Sequence, residues 1–272
     1  MKKLLVLFVL MATASGIYAQ QDTATISFGK NKILIISDKQ DTSIHKIMVN
    51  DTVEKNIHPH QSNRFKGRWA GIDIGLNGYI TSDYSFSLPT SQSYLELNQA
   101  KSININLNFL EWNISIYKKY IGIVSGLGVS FNNYFFDKNI HLISDSTALT
   151  YTMDTLYKYR KNKLAIDYLK LPLLIEFHIP VNHHRDRVFI NAGVVGALRI
   201  GSHIKQVYEI NGDKKTNKEF RNYFLSPLAY SAQLRVGYNN IGVFGECQLS
   251  SLFKKDKGPS LYPWTAGLSL YF

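Results

Sequence analysis

Apolar and polar residues alternate with a period of two along much of the chain. Between Ile103 and Phe109 every odd position is apolar and every even position is asparagine. From Leu110 onward the apolar set moves to even positions, and the extra residue at Phe109–Leu110 predicts a β-bulge. Because a β-strand places successive side chains on opposite faces, this pattern predicts a strand with one apolar and one polar face.

The same period recurs in eight segments, which we interpret as eight strands. They span residues 69–80, 103–116, 121–135, 165–178, 188–201, 225–238, 241–253 and 263–272. Short connections near 118–120, 179–187 and 239–240 alternate with long ones at 81–100, 137–164, 202–224 and 254–262. An even number of strands with short turns at one rim and long loops at the other is typical of an outer-membrane β-barrel.

The shortest connection also predicts a register. Asn239 and Asn240 tolerate the positive φ of a two-residue hairpin turn, so Tyr238 and Ile241 should flank the turn as a pair. Counting back places Gln233 opposite Glu246 and Arg235 opposite Phe244. All four of these residues fall on the polar face of the two strands, so the register is self-consistent.

Alternation alone does not say which face is inside, and a soluble lipocalin-like barrel would turn its apolar face inward around a ligand. The polar face here is rich in glycine and small residues, which suits a crowded eight-strand interior. The apolar face is bulky, and aromatic residues near strand ends are expected to form membrane-interface girdles. These aromatic residues are Trp69, Phe131, Tyr134, Phe135, Tyr168, Tyr238 and Trp264. The sequence therefore predicts an all-β protein, an eight-stranded antiparallel up-and-down transmembrane barrel.

Seven charged positions fall on the predicted inner face, and buried charges must be paired. They are Asp73, Glu111, Lys170, Glu176, Arg199, Arg235 and Glu246. A proton path or ion channel is one interpretation of this set. Since eight strands leave an interior just wide enough for side chains to fill, we favour a packed ion-pair ladder over an open pore.

Length and composition agree with one large β domain or two small domains. The chain has 272 residues, of which 45% are hydrophobic and 13% aromatic, and this excludes intrinsic disorder. Its one cysteine, Cys247, excludes an intramolecular disulfide and a thiolate metal cage. Beyond the N-terminus no apolar run approaches the roughly 20 residues that a membrane-spanning helix needs.

The N-terminal residues predict export. Lys2 and Lys3 precede an apolar run, and a small residue follows at Ala19, so we expect a signal peptide at 1–19 that is cleaved near Ala19. Residues 20–66 form a polar periplasmic extension whose apolar run at 33–36 predicts a small β element or a partly flexible segment. This extension is expected to pack on, cap or plug the mouth of the barrel domain at 67–272, or to contact another envelope protein.

The chain has a net charge of +11, and basic residues cluster in three of the long loops. Their basic residues are Lys158, Arg160, Lys161, Lys163, Lys205, Lys214, Lys215, Lys218, Arg221, Lys254, Lys255 and Lys257. Two interpretations fit this rim: it binds lipopolysaccharide phosphates, or its lysines keep the loops solvated. Nucleic acid is not expected as a partner of an exported barrel.

Candidate chemistry is sparse. The histidine pairs at 58 and 60 and at 183 and 184 have no carboxylate or cysteine beside them at ligand spacing, so we predict no metal and no cofactor. A lipid-modifying enzyme, such as a lipid A deacylase, needs a positioned nucleophile and base. His178 is predicted to point inward and Ser251 has no basic neighbour, so we predict no enzyme. Cys247 is interpreted as a small apolar filler.

Several stretches resemble a family. The final strand ends in Phe272, which resembles the signal by which outer-membrane proteins are recognised by the barrel-assembly machinery. The segments Gly67-RWAGIDIGLNG-Tyr79, Lys101-SININLNFL-Glu111, Ser125-GL-Gly128, Phe131-NN-Tyr134 and Tyr168-LKLP-Leu173 resemble the small outer-membrane barrel proteins of Bacteroidetes, including PorT-like members. The resemblance implies a barrel fold in the outer membrane, with outer-membrane lipids and the assembly machinery as partners. The PorT-like name also implies a link with secretion, which we carry to no residue.

Overall fold

The computed structural model describes residues 23–28, 31–36, 65–144, 147–181, 187–210 and 212–272. The chain divides into two compact units, Met1–Gln61 and Ser62–Phe272. In the first, β1 (Thr23–Phe28) and β2 (Asn31–Ile36) form an antiparallel pair, and β2 contains the apolar run at 33–36. The predicted signal peptide, most of the extension and both histidine pairs lie outside the described residues.

The second unit is built on a closed ring of eight antiparallel strands. Its described strands are β3 (Gly71–Thr81), β4 (Ile103–Tyr117), β5 (Ile121–Phe135), β6 (Ile140–Ile143), β7 (Thr150–Met153), β8 (Lys161–Pro180), β9 (Arg187–Ile210), β10 (Asp213–Glu219), β11 (Leu228–Tyr238), β12 (Ile241–Gln248) and β13 (Leu261–Tyr271). The ring runs β3-β4-β5-β8-β9-β11-β12-β13, and pairing of β13 with β3 closes it. The predicted eight-stranded barrel is thereby confirmed.

Local features of the ring follow the sequence pattern. The register between β4 and β5 shifts between Asn108 and Leu110, so the predicted bulge is confirmed. Tyr238 pairs with Ile241, and Asn239 in the turn between them has φ 51°. The predicted pairings of Gln233 with Glu246 and of Arg235 with Phe244 are also present.

Two strands are longer than the pattern predicts. β8 and β9 remain paired from Pro180 and Arg187 up to Lys161 and Val207. The last seven residues of β9, Ile204–Ile210, pair with β10, which folds back on them. Polar and charged residues interrupt the alternation there, which is why the sequence pattern ended early. The predicted connection at 202–224 is therefore mostly a β9–β10 hairpin, while β6 and β7 form a second hairpin within the connection at 137–164.

The wall of the barrel is apolar on its outside and polar on its inside. Leu171, Leu234 and Leu268 are 53%, 51% and 65% exposed on the outer face, whereas Asn77 and Asn106 are buried inside. This orientation is the reverse of a soluble lipocalin-like barrel and identifies the outer face as the lipid-facing one. Among the described residues, no helix has the length and hydropathy needed to cross a membrane.

Three of the predicted girdle aromatics are not on the outer face. Trp69, Tyr134 and Tyr168 are buried, at 0%, 1% and 5% exposure. Tyr134 and Tyr168 belong to a hydrophobic cluster that strand residues form with residues of the long connections, among them Tyr94, Leu95 and Phe253. The period of two puts these rings on the same face as Asp73, Gly128 and Lys170, so the girdle prediction, which rested on their position near strand ends, was wrong for them.

Candidate functional site: the barrel lumen and its basic rim

Asp73 of β3 and Arg235 of β11 form a buried ion pair in the lumen. Arg235 Nη1 donates to Asp73 Oδ1 at 3.1 Å, and Nη2 donates to Oδ2 at 2.7 Å. Their side chains are 1% and 0% exposed. Asn106 and Asn108 of β4 donate to the same carboxylate at 3.1 and 3.0 Å. Since a buried charge is costly unless it is paired and hydrogen-bonded, this cluster holds β3, β4 and β11 in one arrangement.

A second ion pair joins Lys170 of β8 to Glu246 of β12, with Nζ 2.5 Å from Oε2. Gln233 links the two pairs. Its Nε2 donates to Glu246 Oε2 at 2.7 Å, and its Oε1 accepts from Arg235 Nε at 3.0 Å. The result is one continuous polar network from Lys170 to Asp73. A small polar cavity lies beside it, lined in part by Asn104, Tyr134, Tyr168 and Lys170.

The Glu176 carboxylate is bound by groups other than lysine or arginine side chains. Its Oε1 lies 2.5 Å from His178 Nε2, and its Oε2 accepts from Asn191 Nδ2 at 2.9 Å and from the Arg68 backbone N–H at 3.0 Å. The other ring nitrogen of His178 lies 3.1 Å from the carbonyl oxygen of Lys119. Both nitrogens of this histidine are therefore engaged, and neither is left to activate a nucleophile.

Glu111 and Arg199 have neutral partners as well. Glu111 Oε2 accepts from the backbone N–H groups of Trp69 and Ala70 at 2.6 and 2.9 Å. Arg199 donates to the side chains of Ser202 and Asn222, both near the long-loop end. The predicted seven-residue ion-pair ladder is therefore wrong in its extent.

Four of the seven residues form two ion pairs, and Glu111, Glu176 and Arg199 bind other groups. One physical reason is that backbone N–H groups of residues 68–70 and the Asn222 side chain, which lie outside the ring strands, reach these three side chains. The other is that neutral side chains of the ring, those of Asn191 and Ser202, also bind them.

Residues 65–70, which we call the lumen segment, run inside the barrel wall along β5. Phe65 and Trp69 are 5% and 0% exposed. A Cβ at Gly122 would lie 2.4 Å from the Phe65 ring, and one at Gly126 would lie 2.6 Å from Trp69 Cδ1, so both aromatic rings occupy space that only glycine leaves open. Phe65 also stacks on His178, with ring centroids 4.8 Å apart.

Sequence reasoning missed the lumen segment. The available signal was a matched spacing: Gly122 and Gly126 lie four residues apart on the inner face of β5, and Phe65 and Trp69 lie four residues apart just before the first ring strand. Trp69 also lies 4.6 Å from the Arg235 guanidinium carbon, measured to the ring centroid, so the segment reaches the Asp73–Arg235 pair.

The predicted basic residues lie at the long-loop end of the barrel. Lys158 and Arg160 lie between β7 and β8, Lys161 and Lys163 begin β8, Lys205 is on β9, Lys214, Lys215 and Lys218 are on β10, Arg221 follows β10, and Lys254, Lys255 and Lys257 lie between β12 and β13. Some are already engaged: Arg160 pairs with Glu209, Arg221 pairs with Glu219, and Lys257 lies over the Phe224 ring. The β-ladder places Lys163 and Lys218 on either side of Lys205.

Within the part of the chain that the structure describes, no three or more His, Cys, Asp or Glu side chains are grouped so that they could hold a metal ion.

A family model described as an outer membrane protein beta-barrel domain matches residues 60–253, which is more than half of the chain. Neither a curated protein nor a solved structure is similar enough to count as a match. The matched range includes the lumen segment and seven of the eight ring strands. Together with the closed ring and its apolar outer face, this match establishes that the chain belongs to the outer membrane protein beta-barrel domain family and is a barrel protein of the outer membrane.

Proposed function

We propose that this protein is a non-conducting barrel with a structural or interaction role in the cell envelope. The observation that carries the proposal is the polar network from Lys170 through Gln233 to Asp73, which joins side chains of β8, β11, β12 and β3 across the lumen. A path for ions would have to pass groups that already bind one another. Eight strands also leave little room beside such a network.

The ends of the lumen support the same proposal. At the short-turn end, the lumen segment places Phe65 and Trp69 inside the wall. At the other end, residues of the long connections join Tyr79, Tyr134 and Tyr168 in one buried hydrophobic cluster. Short turns of outer-membrane barrels face the periplasm, so the lumen segment would close the periplasmic mouth and the hydrophobic cluster the external one.

The partners that we propose are outer-membrane lipids, lipopolysaccharide and the barrel-assembly machinery, with a further envelope protein as a candidate. The external basic rim supports an anionic lipid partner. Phe272, the aromatic residue directly after β13, supports recognition during assembly. We also propose export by a signal peptide cleaved near Ala19 and a PorT-like relationship, both on the sequence features described above.

We propose no catalytic activity. A lipid A deacylase-like function would need a nucleophile activated by a base. His178, the histidine inside the barrel wall, has both ring nitrogens engaged by Glu176 and the Lys119 carbonyl. These two contacts support a structural role for His178.

The test is solute permeability. The full chain, refolded in detergent and checked for a heat-modifiable band, is reconstituted into vesicles, and the influx of a small sugar and of salt is followed. A general porin in parallel vesicles is the positive control. We expect no flux above that of empty vesicles, because the proposal has the polar network and the lumen segment fill the path through the barrel. Flux that rises with the amount of folded barrel would contradict the proposal.

A further inference from the structure

Three lysines lie side by side on neighbouring strands at the long-loop end. Lys163 of β8 pairs with Lys205 of β9, and Lys205 pairs with Lys218 of β10. Residues that are directly opposite in an antiparallel ladder point to the same face, with Cβ atoms about 5 Å apart. These three residues, which we call the lysine row, therefore present three positive charges on one face of the sheet.

The lysine row lies on the outer face of the wall. Asn162 and Leu164, which flank Lys163 along β8, are buried on the inner side. Lys163 Nζ donates to Asn133 Oδ1 at 2.5 Å and lies 5.3 Å from the Phe135 ring centroid, and both partners belong to the outer face of β5. The row thus faces sideways toward the surrounding membrane rather than upward into solvent.

The height of the row suits the lipid headgroups. Phe131 is an aromatic residue exposed on the outer face of β5. It pairs across the ladder with Asp167 of β8, and Asp167 lies four residues along β8 from Lys163. Four residues of a tilted strand correspond to about 9 Å along the membrane normal. Below this level the outer face is apolar, with Leu171 and Ile200 exposed. Long lysine side chains at this height reach the headgroup layer.

Nearby acids offset the charge of the row only in part: Asp167, four residues from Lys163 on the same face of β8, interacts electrostatically with Lys163. None of its three lysines forms an ion pair with any residue that the structure describes. Glu209 on β9 pairs with Arg160, and Glu219 at the end of β10 pairs with Arg221 and lies near His141. Like charges that are directly opposite across a ladder destabilise the sheet, so an anion between them would offset that cost.

We propose that Lys163, Lys205 and Lys218 form a lateral binding site for the phosphate groups of a phosphorylated glycolipid in the surrounding outer leaflet. The site rests on the proposed function, since it assumes the external leaflet at the long-loop end. It differs from a general basic rim because it assigns the contact to one row on β8, β9 and β10. The ammonium groups bind phosphate oxygens, while the glycolipid's acyl chains lie against the apolar wall below.

The test is lipid binding by the full chain, refolded in detergent, with bisphosphoryl lipid A as the probe. The triple variant Lys163→Gln, Lys205→Gln, Lys218→Gln removes the row. The matched control, Lys254→Gln, Lys255→Gln, Lys257→Gln, removes the same charge from the β12–β13 connection. We expect the first triple to weaken binding by about tenfold or more and the control, which belongs to the general basic rim, to weaken it clearly less. The single change Lys205→Gln, at the centre of the row, should weaken binding less and serves if the triple variant fails to show a heat-modifiable band.

Three outcomes would overturn the site: no weakening by the row variants, equal weakening by the control, or displacement of the lipid by inorganic phosphate, which would make a free anion the ligand. Vesicle permeability, measured on the same preparations, separates this result from the proposed function. A tight barrel without row-dependent lipid binding refutes only the site, whereas a leaky barrel refutes only the closed lumen.

Discussion

Arg235 of β11 meets Asp73 of β3 across the lumen, 162 residues away in the sequence and with β12 and β13 between their strands in the ring. The pair is bidentate, and the Arg235 guanidinium carbon also lies 4.6 Å from the Trp69 ring centroid. One side chain therefore connects two distant strands and the lumen segment. Loss of Asp73, the partner of Arg235, should therefore lower the stability of the whole barrel.

Breaking this pair should destabilise the barrel strongly. Asp73→Leu leaves the Arg235 guanidinium buried without its carboxylate, and we expect a loss of about 3–5 kcal/mol in the free energy of unfolding. Adding Arg235→Met removes the unpaired charge and should recover much of that loss. Urea unfolding in detergent micelles, followed by the heat-modifiable band, measures the two single variants, Asp73→Leu and Arg235→Met, and the double variant. Additive losses in the double variant would show that the two residues are not coupled.

Trp69 should contribute to stability as a core residue does. Trp69→Ala empties the space between Gly126 and Arg235, and we expect a cost of about 3–5 kcal/mol. Trp112 is the matched control, because it is 51% exposed on the outer face of β4. Trp112→Ala should cost clearly less in the same unfolding experiment. Equal costs for the two tryptophans would argue against a lumen segment that is held inside the wall.

The lipid-facing wall can be tested with one charge. Leu171 is 53% exposed near the middle of β8, so Leu171→Arg should cost about 2–4 kcal/mol in a bilayer. Leu156 is 84% exposed in the connection between β7 and β8, and Leu156→Arg should leave stability unchanged. The measurement is unfolding from lipid vesicles. A barrel that tolerates arginine at 171 as well as at 156 would not have its wall in lipid.

The loop after β7 should respond to acid. Tyr159 donates to Asp154 Oδ2 at 2.6 Å, and this hydrogen bond, together with those from the Leu156 and Tyr157 backbone N–H groups, lowers the pKa of Asp154 from its ordinary value of 3.8. A carboxylate with a lowered folded-state pKa stabilises the loop above its ordinary pKa, and this contribution is lost as the pH falls through the folded-state pKa. Protection of the two amides should therefore fall in acid.

Hydrogen–deuterium exchange, corrected for the intrinsic effect of pH, measures this protection in the wild-type protein and in Asp154→Asn. The variant should show weaker protection at neutral pH and no acid step, because its amide side chain does not titrate. A wild-type step that persists in the variant would assign the titration to another group.

The wall of the barrel could be predicted from the sequence because its rules are local. A period of two assigns each side chain to a face, one extra residue at Phe109–Leu110 shifts the register, and the Asn239–Asn240 turn sets the pairing of Arg235 with Phe244. Each of these depends on residues that are neighbours in the chain or across one hairpin. For this reason the eight-strand ring follows from alternation and connection lengths alone.

Partners across the lumen depend on the closed ring instead. Alternation placed Glu111, Glu176 and Arg199 on the inner face, but their partners come from the lumen segment, from His178 and Asn191, and from the residues between β10 and β11. Which groups meet there is decided by the stagger of the strands and by the path of residues 65–70. The sequence by itself determined the faces of the strands and the contacts within one strand or one hairpin, such as Gln233 with Glu246. Only the tertiary structure decided the contacts of Asp73 with Arg235, of Glu111 with residues 69–70 and of Arg199 with Asn222, because these join residues with no fixed spacing in the chain.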